Sequence, residues 1–208
     1  MRQLLAKHSP LLFIDAASAR VQVGWVTEKS SRWETSEEES GIGVFRGVEA
    51  LGVDPAGIGA FVFCEGPGSI LGIRTVAMAL RTWTLLQPKP VFSYQSLALV
   101  AHGTGETGLR VIADARRDSW HVFQAGGKLQ RIATADLPGN LAMPEPFRAW
   151  TPVPANTRRI PYSLADLLPR VAEVDLFAPA TAPDAFLHEE PNYVTWTPQV
   201  HRAPLPAQ

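Results

Sequence analysis

The chain has 208 residues, of which 46% are hydrophobic and 19% are charged, and its formal net charge is −1. This composition excludes a disordered chain, and the small net charge excludes a general electrostatic attraction to nucleic acid. The single cysteine, Cys64, allows neither an internal disulfide nor a cysteine-based zinc site. We see no signal peptide and no apolar run of about 20 residues, so we predict a cytoplasmic protein without a membrane partner.

Two short apolar runs lie near the start of the chain. Leu11–Asp15 and Val21–Val26 are separated by a short turn, which predicts a β-hairpin. Residues 28–40 are rich in Ser and Glu and predict an exposed loop. Asp15 ends the first run, where it could hold a magnesium-bound phosphate or cap the turn. Alanines stand in the turn where a phosphate-binding hairpin would need glycine, which favours the capping role.

A short helix, a buried strand and a longer helix are predicted next. Residues 42–51 have apolar side chains at helical spacing, and Ala60–Cys64 is apolar throughout, as in a strand buried on both faces. Ser69 is a predicted N-cap for a helix over Ile70–Leu86, which Pro88 ends. One stripe of this helix carries Ile73, Ala77, Leu80 and Thr84, while another face carries Arg74 and Arg81.

A glycine-rich segment divides the chain. Val91–Tyr94 predicts a strand and Ser96–His102 a short helix, and three glycines follow within residues 103–108. We therefore predict two domains, 1–105 and 106–208.

The second domain is predicted to be smaller and rich in loops. Leu109–Asp114 and Trp120–Gln124 predict paired strands, and Leu129–Ile132 predicts a third. Thirteen of the 18 prolines lie from Pro138 onward, which disfavours regular sheet there. A helix over Ser163–Ala172 and a strand over Val174–Ala178 are the remaining predictions.

Two polar turns are candidate sites. Glu65–Ser69 joins a buried strand to a helix N-terminus, where it could contact a phosphate or a partner's backbone, or serve only as a tight turn. It lacks the Gly-Lys-Ser/Thr of a P-loop. In Asp114–Asp118 the arginines could pair with the acids or clamp an anion. The five histidines have no metal-ligand spacing, and Cys64 lies in an apolar run, so we predict no metal ligand and no nucleophile.

Several of these segments resemble one protein family. Residues 65–74 resemble the Gly-Pro-Gly-Ser-Phe-Thr-Gly-Leu-Arg signature of the TsaB (YeaZ) family. Residues 93–97 and 114–117 are similar to segments located after that signature in the family, and residues 14–18 are similar to its opening hairpin. Pro191–Val194 resembles its C-terminal Pro-x-Tyr-Leu-Arg. Against that pattern, Ile-Leu replaces Phe-Thr in the signature and alanine replaces threonine in the hairpin.

The resemblance implies an α/β fold of the actin-like ATPase (ASKHA, ribonuclease H-like) type, with two lobes and mixed sheets. The short, proline-rich second lobe predicted from the sequence departs from that pattern. The resemblance also implies a non-catalytic role without a cofactor. The chain would be a partner of TsaD, which modifies adenosine in transfer RNA to the threonylcarbamoyl form. A TsaE-like ATPase is a further expected partner, a homodimer could use the same surface, and transfer RNA would be bound only through the complex.

The resemblance places the partner interface on the predicted helices over 42–51 and Ile70–Leu86, and on the turn Glu65–Ser69 that precedes the second helix. The predicted interface residues are Val44, Val48, Leu51, Gly66, Gly68, Ser69, Ile73, Arg74, Ala77 and Arg81. The alternative hypothesis is a small ATPase or phosphotransferase of the same superfold, with Asp15 and Asp114 near a magnesium-bound phosphate.

Overall fold

The computed structural model describes residues 1–186, which form two β-sheets with helices packed on them. The helices are α1 (Arg2–His8), α2 (Ser40–Ala50), α3 (Ile70–Leu86), α4 (Ser96–Thr104) and α5 (Leu164–Leu167). The strands are β1 (Leu11–Asp15), β2 (Val21–Val26), β3 (Ser31–Ser36), β4 (Ala60–Gly66), β5 (Val91–Gln95), β6 (Arg110–Asp114), β7 (Ser119–Gln124), β8 (Gln130–Ala133), β9 (Leu141–Glu145), β10 (Arg158–Pro161) and β11 (Ala178–Pro179).

Both sheets are mixed. The first has the order β11-β5-β4-β1-β2-β3, with β1 antiparallel to β2 and parallel to β4. The second has the order β10-β9-β6-β7-β8, with β6 antiparallel to β7 and parallel to β9. Every residue of β1 is buried, as expected for a central strand covered on both faces.

α2 and α3 are neighbours that pack against the first sheet. α2 approaches β2 closely because Gly47 has no side chain, and a Cβ there would lie 2.6 Å from the Val23 side chain. α3 begins where predicted, since the Ser69 hydroxyl accepts a hydrogen bond from the N–H of Gly72. The rings of Phe45 and Trp83 meet edge-on between the two helices. The sides of α2 and α3 that face away from the first sheet therefore form an outer surface.

The predicted loop over residues 28–40 is wrong, because β3 lies within it. β3 is the edge strand of the first sheet, and it pairs with β2 through its backbone. Most of its side chains are exposed, so the segment has no apolar alternation to reveal a strand. Trp33 is the exception, because its ring lies over Gly24 of β2.

The proline-rich part of the chain holds more strand and less helix than predicted. The sequence pattern does not predict β9 and β10 in this part of the chain. At the other end of the chain, it does not predict α1. The helix expected over Ser163–Ala172 is only the short α5, followed by a 3₁₀ turn over Leu168–Val171 that contains Pro169. The strand expected over Val174–Ala178 is reduced to β11, which pairs with β5.

The two sheets divide the chain close to the predicted boundary, since β5 precedes residue 105 and β6 follows it. β11, however, returns to the first sheet. The division into domains 1–105 and 106–208 stays a prediction. Each helix in the described part of the chain is too short or too polar to span a lipid bilayer.

Candidate functional site

Asp15 lies between the two sheets and is fully buried. One carboxylate oxygen accepts a hydrogen bond from the N–H of Ala17 at 2.8 Å. The other accepts hydrogen bonds from the hydroxyls of Tyr94 on β5 and Tyr162 after β10. Asp15 therefore joins three separate parts of the chain.

Burial makes the Asp15 carboxyl group a weaker acid than an exposed one. Burial raises the pKa of Asp15, and the hydrogen bonds from Tyr162, Tyr94 and Ala17 oppose that rise. Burial likewise raises the pKa of the adjacent Cys64 thiol, which is the opposite of what a nucleophilic cysteine needs. Asp15 does not fit a magnesium–phosphate site, because both of its oxygens already bind donors of the chain itself. The structure favours the turn-capping role.

The turn at Glu65–Ser69 packs against the turn between β1 and β2. The N–H of Ser69 donates to the carbonyl oxygen of Ala17 at 2.7 Å. A Cβ at Gly68 would lie 2.3 Å from the same oxygen, so only glycine allows this approach. The turn therefore binds the chain's own backbone, at the place where a phosphate was considered.

A cleft of about 520 Å³ lies between this turn and the second sheet. Its polar lining includes Glu65, Arg74, Arg116, His121 and Arg148. Within residues 1–186 no three His, Cys, Asp or Glu side chains are placed to hold a metal together.

The charged turn Asp114–Asp118 lies at the edge of the cleft. Asp114 accepts hydrogen bonds from the backbone N–H groups of Arg116, Trp150 and Thr151, each at 2.6 Å. Burial alone would raise the pKa of Asp114, but these three hydrogen bonds together hold it below the ordinary value. The Arg116 guanidinium lies 3.4 Å from the centre of the Trp150 ring. Asp114 thus fixes the backbone of two loops.

The outer surface of α2 and α3 exposes several large apolar side chains beside polar ones such as Arg46 and Glu49. Leu71, Met78 and Leu85 are spaced seven residues apart along α3, so they form one row on its solvent side. Leu71 is 77% exposed and Met78 is 58% exposed. Ile42 and Phe45 of α2 are about half exposed. We call these five side chains the helical face.

The structure separates the predicted interface residues into three groups. Val44, Leu51, Ile73 and Ala77 are buried within the chain, and Gly66 is also buried. Val48 and Ser69 are half-buried, and Gly68 is exposed. Arg74 and Arg81 are accessible, with side chains 50% and 41% exposed. The buried residues cannot contact a partner directly and can only support the exposed residues packed on them.

Sequence reasoning therefore found the helices but selected mostly their inward sides. Ala77 of the predicted interface and its neighbour Ala79 are both buried. The signal for the outward side was present in the sequence: α3 places Leu71 and Met78 on the side opposite to its buried stripe, where polar residues are usual.

Arg74 and Arg81 are both bound by the chain itself. Asp184 lies 3.6 Å from Arg74 Nε and 3.6 Å from Arg81 Nη2. Two residues further on, the N–H of Phe186 donates to the carbonyl oxygen of Glu65 at 2.7 Å. The segment 184–186 therefore runs beside α3 and the turn that precedes it.

Some predictions fall outside the described residues. These are the C-terminal resemblance at Pro191–Val194 and the histidines at positions 188 and 201.

Comparisons with known proteins identify the fold. No protein-family model matches the chain. No curated protein matches it either. A solved structure described as an uncharacterized protein with similarity to peptidase YeaZ, from Pseudomonas aeruginosa, is 17% identical with a TM-score of 0.61. It covers 87% of this chain and 100% of its own. The structure of YeaZ from Pseudomonas aeruginosa is 16% identical with a TM-score of 0.62, covering 86% of this chain and 100% of its own.

The chain is therefore a mixed α/β protein with two mixed sheets and the fold of YeaZ. The fold expected from the resemblance at residues 65–74 is confirmed.

Proposed function

We propose that this chain is a cytoplasmic, non-catalytic partner of a TsaD-like protein in the modification of transfer RNA to the N6-threonylcarbamoyladenosine form. The helical face carries this proposal, because its apolar side chains are exposed on two adjacent helices. A TsaE-like ATPase would join the complex, and transfer RNA would be bound only through it. A second copy of the chain is the competing occupant of the same face.

The proposal rests first on the energetics of the helical face. Leu71 and Met78 are 77% and 58% exposed, so each would gain on burial that fraction of the about 1.5–3 kcal/mol expected for a fully exposed side chain. Ile42 and Phe45 extend the apolar surface across α2. Contiguous apolar surface of this kind is typical of protein interfaces. A helical partner surface with an apolar centre would cover it.

The state of the candidate catalytic groups also supports a non-catalytic role. Asp15 is bound by two tyrosines, and Gly68 and Ser69 are bound against the Ala17 backbone. A phosphate that used the Asp15 carboxylate through magnesium, or the Ser69 N–H, would have to displace these contacts. The alternative function, an ATPase or phosphotransferase, gains no support from these residues.

The test is co-purification of the chain with the TsaD-like protein of the same organism, followed by sizing. We expect a stoichiometric complex with the wild-type chain and none with Met78→Arg or Leu71→Arg, because each places a charge in the apolar centre. The matched control is Gln3→Arg, which places the same charge on the exposed side of α1, outside the helical face.

Two outcomes would contradict the proposal. One is an intact complex in both Met78→Arg and Leu71→Arg, provided that both variants fold with wild-type melting temperatures. The other is nucleotide-dependent stabilisation of the isolated chain, since saturation with ATP and magnesium at 100 times the Kd would add about 2.7 kcal/mol.

A further inference from the structure

α3 has an unbalanced charge on the side that adjoins the helical face. Its 17 residues include Arg74 and Arg81 but no acidic residue. The two arginines are seven positions apart, so they lie on the same side of the helix. Each precedes a member of the apolar row by four residues, Met78 after Arg74 and Leu85 after Arg81. A partner that covers the row would therefore meet both guanidinium groups.

Asp184 is the carboxylate of the described chain that now lies between the two arginines. Its distances to Arg74 and Arg81 are both 3.6 Å, and its side chain is 53% exposed. Ion pairs with this exposure contribute little to folding. They are therefore weak enough to be exchanged for contacts with a partner.

The backbone around Asp184 is held by other contacts. Ala185 is buried, and the N–H of Phe186 binds the carbonyl oxygen of Glu65. The Asp184 carboxylate also accepts a hydrogen bond from the N–H of Ala185 at 2.8 Å, so turning it away from α3 breaks that bond, while the Phe186 contact keeps the segment in place.

Binding of a partner would raise the free-energy cost of leaving this positive charge unpaired. Among residues 1–186, Arg74 and Arg81 share the one carboxylate of Asp184 in these ion pairs, which leaves part of their positive charge uncompensated at the edge of the helical face. Covering that charge without a counter-charge costs free energy, because the surrounding water is removed. Arginine is suited to such a site, since its planar group binds a carboxylate through two N–H donors.

We infer that the partner presents an acidic side chain to Arg74 and Arg81 and replaces Asp184 there. This inference rests on the proposed function and adds the chemistry of the partner: an apolar helical surface with a carboxylate at its edge. Asp184 holds the site in the free chain and competes with the partner for the two arginines.

The test is the affinity of the TsaD-like protein for the full-length chain and its variants, measured by calorimetry at low and at physiological salt. Because Asp184→Asn removes the competitor, we expect binding to become about two- to fivefold tighter. Arg81→Gln should weaken binding about tenfold or more, since it leaves the partner's acid unpaired. The matched control is Arg2→Gln, which alters an exposed arginine paired with Glu173 elsewhere in the chain.

A coupling measurement makes the test sharper. In a chain that already carries Arg74→Gln and Arg81→Gln, Asp184→Asn should no longer change the affinity, because the contested site is gone. Melting temperatures of all variants confirm that each one folds.

The outcomes distinguish this inference from the proposed function. If Asp184→Asn weakens binding or leaves it unchanged while Met78→Arg abolishes it, the partner role stands and the inference about the carboxylate is overturned. If the wild-type chain forms no complex at all, both are overturned.

Discussion

The helical face and the Asp15 site depart from the usual distribution of residues in opposite directions. The helical face exposes large apolar side chains, Leu71 and Met78 among them, whereas the Asp15 site buries a carboxyl group completely. The buried group has hydrogen-bond donors on both oxygens, all from the chain itself. The side chains of the helical face stay about half to four-fifths exposed, although Phe45 contacts the Trp83 ring. The polar group is thus hydrogen-bonded within the chain at one place, while large apolar side chains stay exposed at the other.

The difference shows why residue type alone is a poor guide to function here. Asp15 is the more obvious functional candidate by chemistry, yet its contacts are those of a structural residue. Substitutions at the two places should therefore separate stability from association.

The largest expected effect on stability is that of Asp15→Ala. This change leaves the Tyr94 and Tyr162 hydroxyls and the Ala17 N–H without their acceptor in a buried site. We expect the free energy of unfolding to fall by about 3 kcal/mol or more. Urea denaturation of the isolated chain measures it, and a loss below about 1 kcal/mol would contradict a structural role for Asp15.

A smaller loss is expected for Gln22→Met, which retains the size of the side chain. Gln22 donates to the carbonyl oxygen of Tyr162 at 3.1 Å and accepts from the N–H of Leu164 at 2.9 Å. The variant leaves both buried backbone groups unpaired, so we expect a loss of about 2 kcal/mol in the same urea experiment. Gln3→Met, on the exposed side of α1, is the control and should show no loss.

The dependence of stability on pH tests the buried carboxyl group directly. Its pKa in the folded chain is raised above the ordinary value of 3.8, so the folded state binds the proton more tightly than the unfolded state. The free energy of unfolding that this tighter proton binding adds is fully present below about pH 3.8. It is lost as the pH rises through the pKa of Asp15 in the folded chain. Relative to Asp15→Asn, the wild type should therefore lose stability with rising pH, by at most about 1.4 kcal/mol per pH unit.

Urea denaturation of both proteins from pH 4 upward measures this difference. A wild type that gains stability relative to Asp15→Asn over that range would show that the hydrogen bonds to Asp15 outweigh its burial.

The smallest effect on stability is expected for Met78→Ser on the helical face. Met78 is more than half exposed, so its loss should change the free energy of unfolding by less than about 0.5 kcal/mol. Its effect on the complex with the TsaD-like protein should be large, because the apolar centre is lost. Urea denaturation and sizing of the same preparation give both values. A large fall in the free energy of unfolding together with an intact complex would show that Met78 supports folding and not association, contrary to this prediction.

The sequence by itself determined the elements that depend on local signals. α3 has both a capping serine and a terminating proline, and it begins and ends where predicted. The apolar runs of β1, β2 and β4 are likewise found as strands. The motif at residues 65–74 was specific enough to predict the YeaZ fold, which the structural comparisons confirm at 16% and 17% identity.

Only the tertiary structure decided the features that depend on distant residues. β3 is a strand because β2 offers a free edge, although its own side chains are polar. Asp15 is structural because Tyr162, 147 positions away, folds back to donate to it. The two arginines of α3 meet Asp184 for the same reason. Local pattern sets the helices and strands, but the packing of distant segments decides which side chains are buried, paired or exposed.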